Sequence, residues 1–335
     1  MAHPNYIKMH IRTVPELLRD CAETMYQRVK NTLEDEKLEQ TQMVVMTGCG
    51  YSYAAACNGA EFIEKIAGIP ARALYSVDAS RHQSLDVLPK GEQTLFIGVS
   101  GSGVVARVAE GLMRFRTKGA YAVAFSGDMQ SKCARAAQVT VDISTPTVNI
   151  ERGLPLRGYA ATLLAFCGVA WRIAILQGRK SEAERLAFYE DLEVSADELQ
   201  KTLPEIEHQV SDFARKVYQT ASVYELVGSG TGFTSAWLGR QELVIQKRTK
   251  RKDLAGGTGR SIWCGVQCRR LAPLHFLCNK AGDDSHCADF AAELTCPQPS
   301  GRGGRIYGIS AASTLRDWSE HQRSDKCDKP ALYRQ

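Results

Sequence analysis

Between residues 43 and 143, short continuous apolar runs alternate with stretches whose apolar positions recur every three or four residues. The run 43–47 is short and continuously apolar, as expected of a strand buried on both faces of a parallel sheet, and further strands are predicted over 72–76, 94–100, 121–126 and 139–143. The stretches between them predict helices over 53–67, closed by Gly68 and Pro70, and over 104–116, closed by Gly119. A short helix over 130–137 completes the series. Strand–helix alternation at this spacing predicts right-handed crossovers and a doubly wound α/β sheet.

Flanking segments extend the pattern. Thr13, Pro15 and Glu16 read as the N-cap, first turn and N3 position of a helix running to about Leu33, with Leu17, Leu18, Cys21, Met25 and Val29 on one stripe. Helical periodicity returns over 156–177 and 182–220. A second strand–loop–helix follows: strand 222–227, loop Gly228-Ser229-Gly230-Thr231 and helix 235–247. It echoes the first and suggests an internal duplication. Beyond Lys247 no period of 2 or 3.6 is sustained, and no fold is assigned there. The implied organisation is a helical segment over 1–36, a first sheet domain over 37–180, a helical connection and start of a second copy over 181–247, and an irregular tail over 248–335.

Composition sharpens this division. The 335 residues suffice for two domains, with 44% apolar and 24% charged residues. Residues 1–13 are polar and lack the apolar core of a secretory signal. The most apolar stretch, 159–176, is interrupted by Gly168 and Arg172 and reads as a core helix. A soluble, cytoplasmic protein without membrane contact is expected. The net charge of +5 is unevenly placed: from Arg248 onward there are 15 Lys/Arg against 9 Asp/Glu. Six of the 11 cysteines also fall there, whereas Cys21, Cys49, Cys57, Cys133 and Cys167 sit in apolar or small-residue stretches of the body.

The chemistry gathers in two loops. Gly48-Cys49-Gly50-Tyr51-Ser52 follows the first strand and Ser100-Gly101-Ser102-Gly103 follows the third. Ligands of a parallel α/β sheet bind at the carboxyl ends of its strands, near a reversal of strand order. Backbone amides at a helix N-terminus attract an anion, small residues let it approach, and serine hydroxyls add donors. Neither loop is a nucleotide P-loop or a dinucleotide fingerprint. The alternative is that the glycines only make tight turns.

Other candidates carry less. Cys264, Cys268, Cys278 and Cys287 lack the paired spacing of a zinc site, so no metal is assigned. The basic run Lys247 to Lys252 has no aromatic platform or helix-turn-helix beside it, so no nucleic-acid partner is assigned. His82 reads as an exposed loop residue and His208 as an outward helix residue.

Residues Gly48-Cys-Gly-Tyr-Ser-Tyr53, Val99-Ser-Gly-Ser-Gly103 and Val227-Gly-Ser-Gly230 resemble the sugar isomerase (SIS) domain family. The likeness spans about residues 10–247. It is greatest to two-domain members such as the isomerase half of glucosamine-6-phosphate synthase and the phosphosugar isomerases, deaminases and deglycases. The resemblance implies a flavodoxin-like three-layer sandwich with a second, incomplete copy. It implies a phosphorylated sugar or amino sugar as partner, no cofactor, and a homodimer or tetramer.

By the same resemblance Ser52, Ser100 and Ser102 hold the sugar phosphate, with Gly50, Tyr51, Gly101, Gly103 and Val105 lining the site. Two departures stand out: Val105 occupies a position commonly Thr, and Tyr51 replaces a Thr of the first loop. The family's second-domain helix supplies a glutamate that shuttles a proton between C1 and C2. Glu242 is the only carboxylate between Gly230 and Lys247 and takes that role, unless it is a solvated helix glutamate. A ring-opening histidine often follows that helix, but His275 and His286 match no motif. Two functions follow: a sugar-phosphate isomerase, deaminase or deglycase, or a sugar-phosphate-binding protein without turnover.

Periodicity, charge and cysteine use all change near Lys247, inside a helix rather than at a boundary. A change of reading frame would produce all three together; a divergent or metal-binding tail is the rival.

Overall fold

The five apolar runs pair in parallel as one sheet. In the computed structural model, which describes residues 6–150, 156–217 and 226–250, β1 (Met43–Gly48), β2 (Ala71–Tyr75), β3 (Thr94–Val99), β4 (Tyr121–Ser126) and β5 (Val139–Asp142) lie in the order β2-β1-β3-β4-β5. The order reverses between β1 and β3, which is where a doubly wound sheet opens a crevice. Thr47 of β1 stands opposite Gly98 of β3, so both strands end at the same level.

Successive strand residues point to opposite faces, which builds two cores. Val44, Met46, Leu95, Ile97, Val123 and Phe125 face α2 (Val14–Thr32), α4 (Tyr51–Phe62) and α7 (Leu156–Leu176). Val45, Phe96, Ala122 and Ala124 face α5 (Ala106–Thr117) and α6 (Lys132–Ala136), where Phe96 stacks on Phe115 at 3.8 Å. The result is the three-layer sandwich that the alternation predicts.

Several boundaries differ for local reasons. A short helix, α1 (Tyr6–Arg12), precedes α2, and α3 (Asp35–Glu39) follows it. Thr13 does not cap α2; its hydroxyl donates back to the His10 carbonyl at 2.8 Å, because that oxygen ends α1 and needs a donor. Helix α4 begins at Tyr51, two residues earlier than expected, and widens into a π-helical turn over Ile63–Ala67. Helix α7 runs unbroken through Gly168 and Arg172. Gly168 lies where Val29 of α2 packs, and Arg172 reaches Asp35 (Nε to Oδ1, 2.9 Å). By length and composition α7 could cross a membrane, but 78% of its apolar window is buried inside the fold. It is the central core helix.

Helix α8 (Glu182–Val217) lies antiparallel to α2, with Arg185 between Glu23 and Glu182 and over the Tyr26 ring at 3.9 Å. Of the expected strand 222–227, residues 222–225 lie outside the described residues, and Leu226 and Val227 are irregular. Helix α9 (Thr231–Lys250) starts four residues earlier than predicted and packs along α4. The tail from residue 251, with the cysteines and histidines read from the sequence, lies outside the described residues.

Candidate functional site

Because β1 and β3 are neighbours in register, the chain leaves them side by side, about 4.8 Å apart. The first loop turns on Gly50, whose φ of 60° is left-handed, and places Tyr51 and Ser52 in the first turn of α4. The second loop is held by backbone bonds alone. Ser100 N–H donates to the Phe125 carbonyl (2.9 Å), Gly103 N–H to Ser100 (2.8 Å), and Gly127 N–H to Gly101 (2.8 Å).

Gly103 cannot be anything else. Its φ is 67°, and an added Cβ would lie 2.0 Å from Ser131 Oγ. Ser131 in turn caps α6, accepting from Ala134 N–H at 3.2 Å. The helices flanking the crevice differ: neither Gly50 before α4 nor Val105 before α5 offers a side-chain cap. The Ser52 and Tyr53 amides of α4 already close onto the Cys49 and Gly50 carbonyls at 3.2 and 3.0 Å, so that turn offers an anion its first amide, Tyr51 N–H, while α5 offers the amides of Ala106 and Arg107 ahead of the Val108 bond to Val105.

The serines fall at different depths. Ser52 is half-buried and Ser102 is exposed with Gly101 beside it. Ser100 is only 2% exposed, on the face that carries α5 and α6. Its hydroxyl has no hydrogen-bond partner of ordinary geometry, and its neighbour is the Cys133 thiol. Val105 turns its side chain towards the core beneath α5 rather than offering a donor. The sheet thus brings both loops to one edge, but Ser102 and Ser52 face it more openly than Ser100.

Helix α9 adds the carboxylate. The Tyr51 hydroxyl donates to Glu242 Oε1, while Glu242 Oε2 is buried without a partner. Burial pushes the Glu242 carboxyl above the ordinary glutamate value. A carboxyl held at one oxygen, free at the other and shifted towards neutrality is suited to proton transfer. The structure therefore sets Glu242 against the first loop, rather than on a solvated helix face.

Aromatic residues that the pattern did not single out surround this corner. The Tyr53 ring lies 5.2 Å from Tyr75 and 5.8 Å from Trp237. Tyr75 Oη and Cys49 Sγ are 3.1 Å apart. Burial pushes Tyr53 up to about 12, and the Cys49 contact together with burial does the same for Tyr75. Only the adjacency of Cys49 and Tyr53 to the loop could have marked them; Tyr75 and Trp237 arrive from elsewhere in the chain. His82 is exposed and His208 pairs with Asp212 at 3.7 Å, so neither approaches the crevice. Among the described residues no cluster of three His, Cys, Asp or Glu could hold a metal.

Comparison with known proteins places this geometry. Residues 37–166 match the model of the SIS domain. It is 36% identical to glutamine–fructose-6-phosphate aminotransferase (isomerizing) of Aquifex aeolicus over 87 residues, 26% of this chain and 14% of that protein. The enzyme of the same name from Symbiobacterium thermophilum is 28% identical over 173 residues, 51% of this chain and 27% of that protein. The chain thus matches only about a quarter or less of these relatives' length.

Among solved structures, a protein of Salmonella typhimurium LT2 assigned as sugar-binding superposes with a TM-score of 0.61 and 17% identity, covering 73% of this chain and 72% of that one. The C-terminal domain of glucosamine-fructose-6-phosphate aminotransferase from Francisella tularensis gives 0.58 and 17%, covering 72% and 68%. These likenesses establish a shared fold.

Proposed function

We propose that this SIS domain holds a phosphorylated sugar in the β1/β3 crevice, and that Glu242 moves a proton between C1 and C2 of its open form. The amides of α4 and α5, with the Ser52 and Ser102 hydroxyls, receive the phosphate dianion. Glu242 takes the proton next to the carbonyl to leave an enediolate, the hydroxyl proton passes from one oxygen of the enediolate to the other, and the same carboxyl returns its proton to the adjacent carbon. Tyr51 fixes the carboxyl during both transfers. The reaction class is aldose–ketose isomerisation of a sugar phosphate, or the deamination or deglycation of an amino sugar that begins with the same step.

The observation that carries this reading is the Tyr51–Glu242 contact at the anion loop, with the second carboxyl oxygen buried and unpartnered. The names of the relatives support fructose 6-phosphate as the first substrate to try. The test incubates the full chain with fructose, glucose and glucosamine 6-phosphates in D2O and follows deuterium entry at C1 and C2 by NMR. Exchange that disappears in Glu242→Gln supports the proposal. Binding without exchange, unchanged in Glu242→Gln, moves the protein to the alternative: a sugar-phosphate-binding protein without turnover. Under either reading Val105 forgoes a hydroxyl bond to the charged phosphate, worth about 1.5–3 kcal/mol, so affinity is lower than with Thr at that position. In either case association into a dimer or tetramer is expected.

A further inference from the structure

The loop at 228–231 reads in sequence as a second anion-binding turn, yet the chain's own side chains already engage it. Helices α4 and α9 run antiparallel and meet at three levels. Glu61 lies against Gly230, Asn58 bonds Thr234, and Tyr51 bonds Glu242. Residues 51, 58 and 61 share one face of α4 at helical spacing.

At the lowest level the Glu61 carboxylate lies beside Gly230, the residue that precedes α9, where the positive end of the helix dipole favours it. Gly230 has φ 53°, and a Cβ there would lie 3.3 Å from Glu61 Oε1. Lys65 stands on the other side of Glu61 at 3.7 Å. At the middle level Thr234 Oγ1 reaches Asn58 Oδ1 and the Thr231 carbonyl, both at 2.7 Å, and Asn58 Nδ2 donates to the Tyr159 hydroxyl at 2.9 Å. Asn58 and Thr234 are 3% and 2% exposed, so this polar joint among α4, α7 and α9 is dry. A buried polar group without its partner costs about 1–3 kcal/mol, which selects one register of α9 over its neighbours.

We infer that Asn58, Thr234 and Glu61 are positioning residues that fasten α9 on α4 and deliver Glu242 to Tyr51, and that the 228–231 loop serves this fastening rather than a second ligand. Glu242 lies eight residues beyond Thr234, about 12 Å along a rigid helix. A slip of one residue rotates it by about 100° and carries the carboxyl away from Tyr51. The inference rests on Glu242 being the reacting carboxylate, but its test does not require turnover.

The test titrates Glu242 itself. The full chain is labelled with 13C at the glutamate carboxyls and followed by NMR, and the Glu242 signal is identified by its loss in Glu242→Gln. Burial alone holds this carboxyl up, and Tyr51 is the titratable group in contact with it. Releasing α9 must therefore lower its pKa towards the ordinary glutamate value of about 4.3. Thr234→Val, which keeps shape and loses the hydroxyl, is expected to do so, while Thr234→Ser keeps the unsubstituted titration. Glu61→Gln is expected to shift it in the same direction as Thr234→Val. A folded Thr234→Val whose Glu242 titrates as before overturns the inference; if that variant does not fold, Glu61→Gln decides by the same criterion. Loss of position in these variants combined with no deuterium exchange into any sugar phosphate would leave this inference standing and remove the proposed reaction.

Discussion

Tyr51, the first residue of α4, donates its phenolic hydrogen bond to Glu242, 191 residues further along the chain. One end of the contact belongs to the anion loop and the other to the helix that follows the second glycine loop. It joins the binding and proton-transfer halves of the proposed chemistry.

The first prediction concerns pH. Burial raises the Glu242 pKa above its unfolded value, so the native state holds the proton more tightly than the unfolded chain. The sign follows: stability from this group is greatest below about pH 4.3 and is lost as pH rises through the folded pKa. Glu242→Gln carries no such charge. Its melting temperature should therefore vary less between about pH 4 and 7, relative to the unsubstituted chain, in thermal scans at matched ionic strength. Identical pH profiles for the two chains would contradict the burial of this carboxyl.

Tyr51→Phe removes the donor and keeps the ring against Tyr159, whose centroid is 6.3 Å away. Turnover of a sugar phosphate should fall roughly tenfold or more, since about 1.4 kcal/mol corresponds to a factor of ten. The KM should change little, because the anion-binding amides are untouched. Steady-state kinetics separate the two, and a large KM effect with unchanged kcat would make Tyr51 a binding residue only.

The second loop allows a contrast between fold and ligand. Gly103→Ala adds a Cβ at a left-handed φ and within 2.0 Å of Ser131 Oγ, so it should destabilise the domain by more than about 2 kcal/mol in urea unfolding. Ser102→Ala, at an exposed position, should leave unfolding within about 0.5 kcal/mol. It should nevertheless weaken the thermal shift produced by fructose 6-phosphate. Equal ligand shifts with and without Ser102 would remove it from the site.

Val105→Thr tests the departure at the start of α5. Val105 is the N-cap and offers no acceptor, so Thr should supply both a cap and a phosphate donor. A cap of this kind is worth about 1 kcal/mol, and the added donor should tighten phosphosugar binding as measured by calorimetry. Weaker binding would place the ligand away from the α5 N-terminus.

The change at Lys247 is tested in the gene. Translation of the other two frames beyond this codon should restore a strand–helix alternation in one of them. Patternless sequence in both would instead assign residues 248–335 to a divergent tail.

The local pattern was sufficient for the sheet. Each of β1 to β5 begins and ends within a residue of its predicted strand; β1, β3 and β4 are apolar and buried almost throughout, whereas the edge strands β2 and β5 are only partly buried. The two loops were equally legible as strand-to-helix turns, since each Gly/Ser stretch follows a strand and leads into a helix. What the chain did not announce were side-chain placements settled by packing and by neighbouring elements. Thr13 lost its cap to the end of an unforeseen helix, Ser100 turned under its own loop, and Tyr75 came to Cys49 across the sheet.

Glu242 makes the difference plain. Its neighbours in sequence describe only a helix, and a solvated glutamate would fit them as well. The role proposed for it follows from α9 docking on α4, where the buried Asn58–Thr234 joint and the packing of Trp237 on Tyr53 hold the two helices together. Strand and loop identity are set by short-range sterics and burial, which the order of residues already contains. The proton-transfer corner depends on which distant surfaces exclude water together, and only the folded chain decides that.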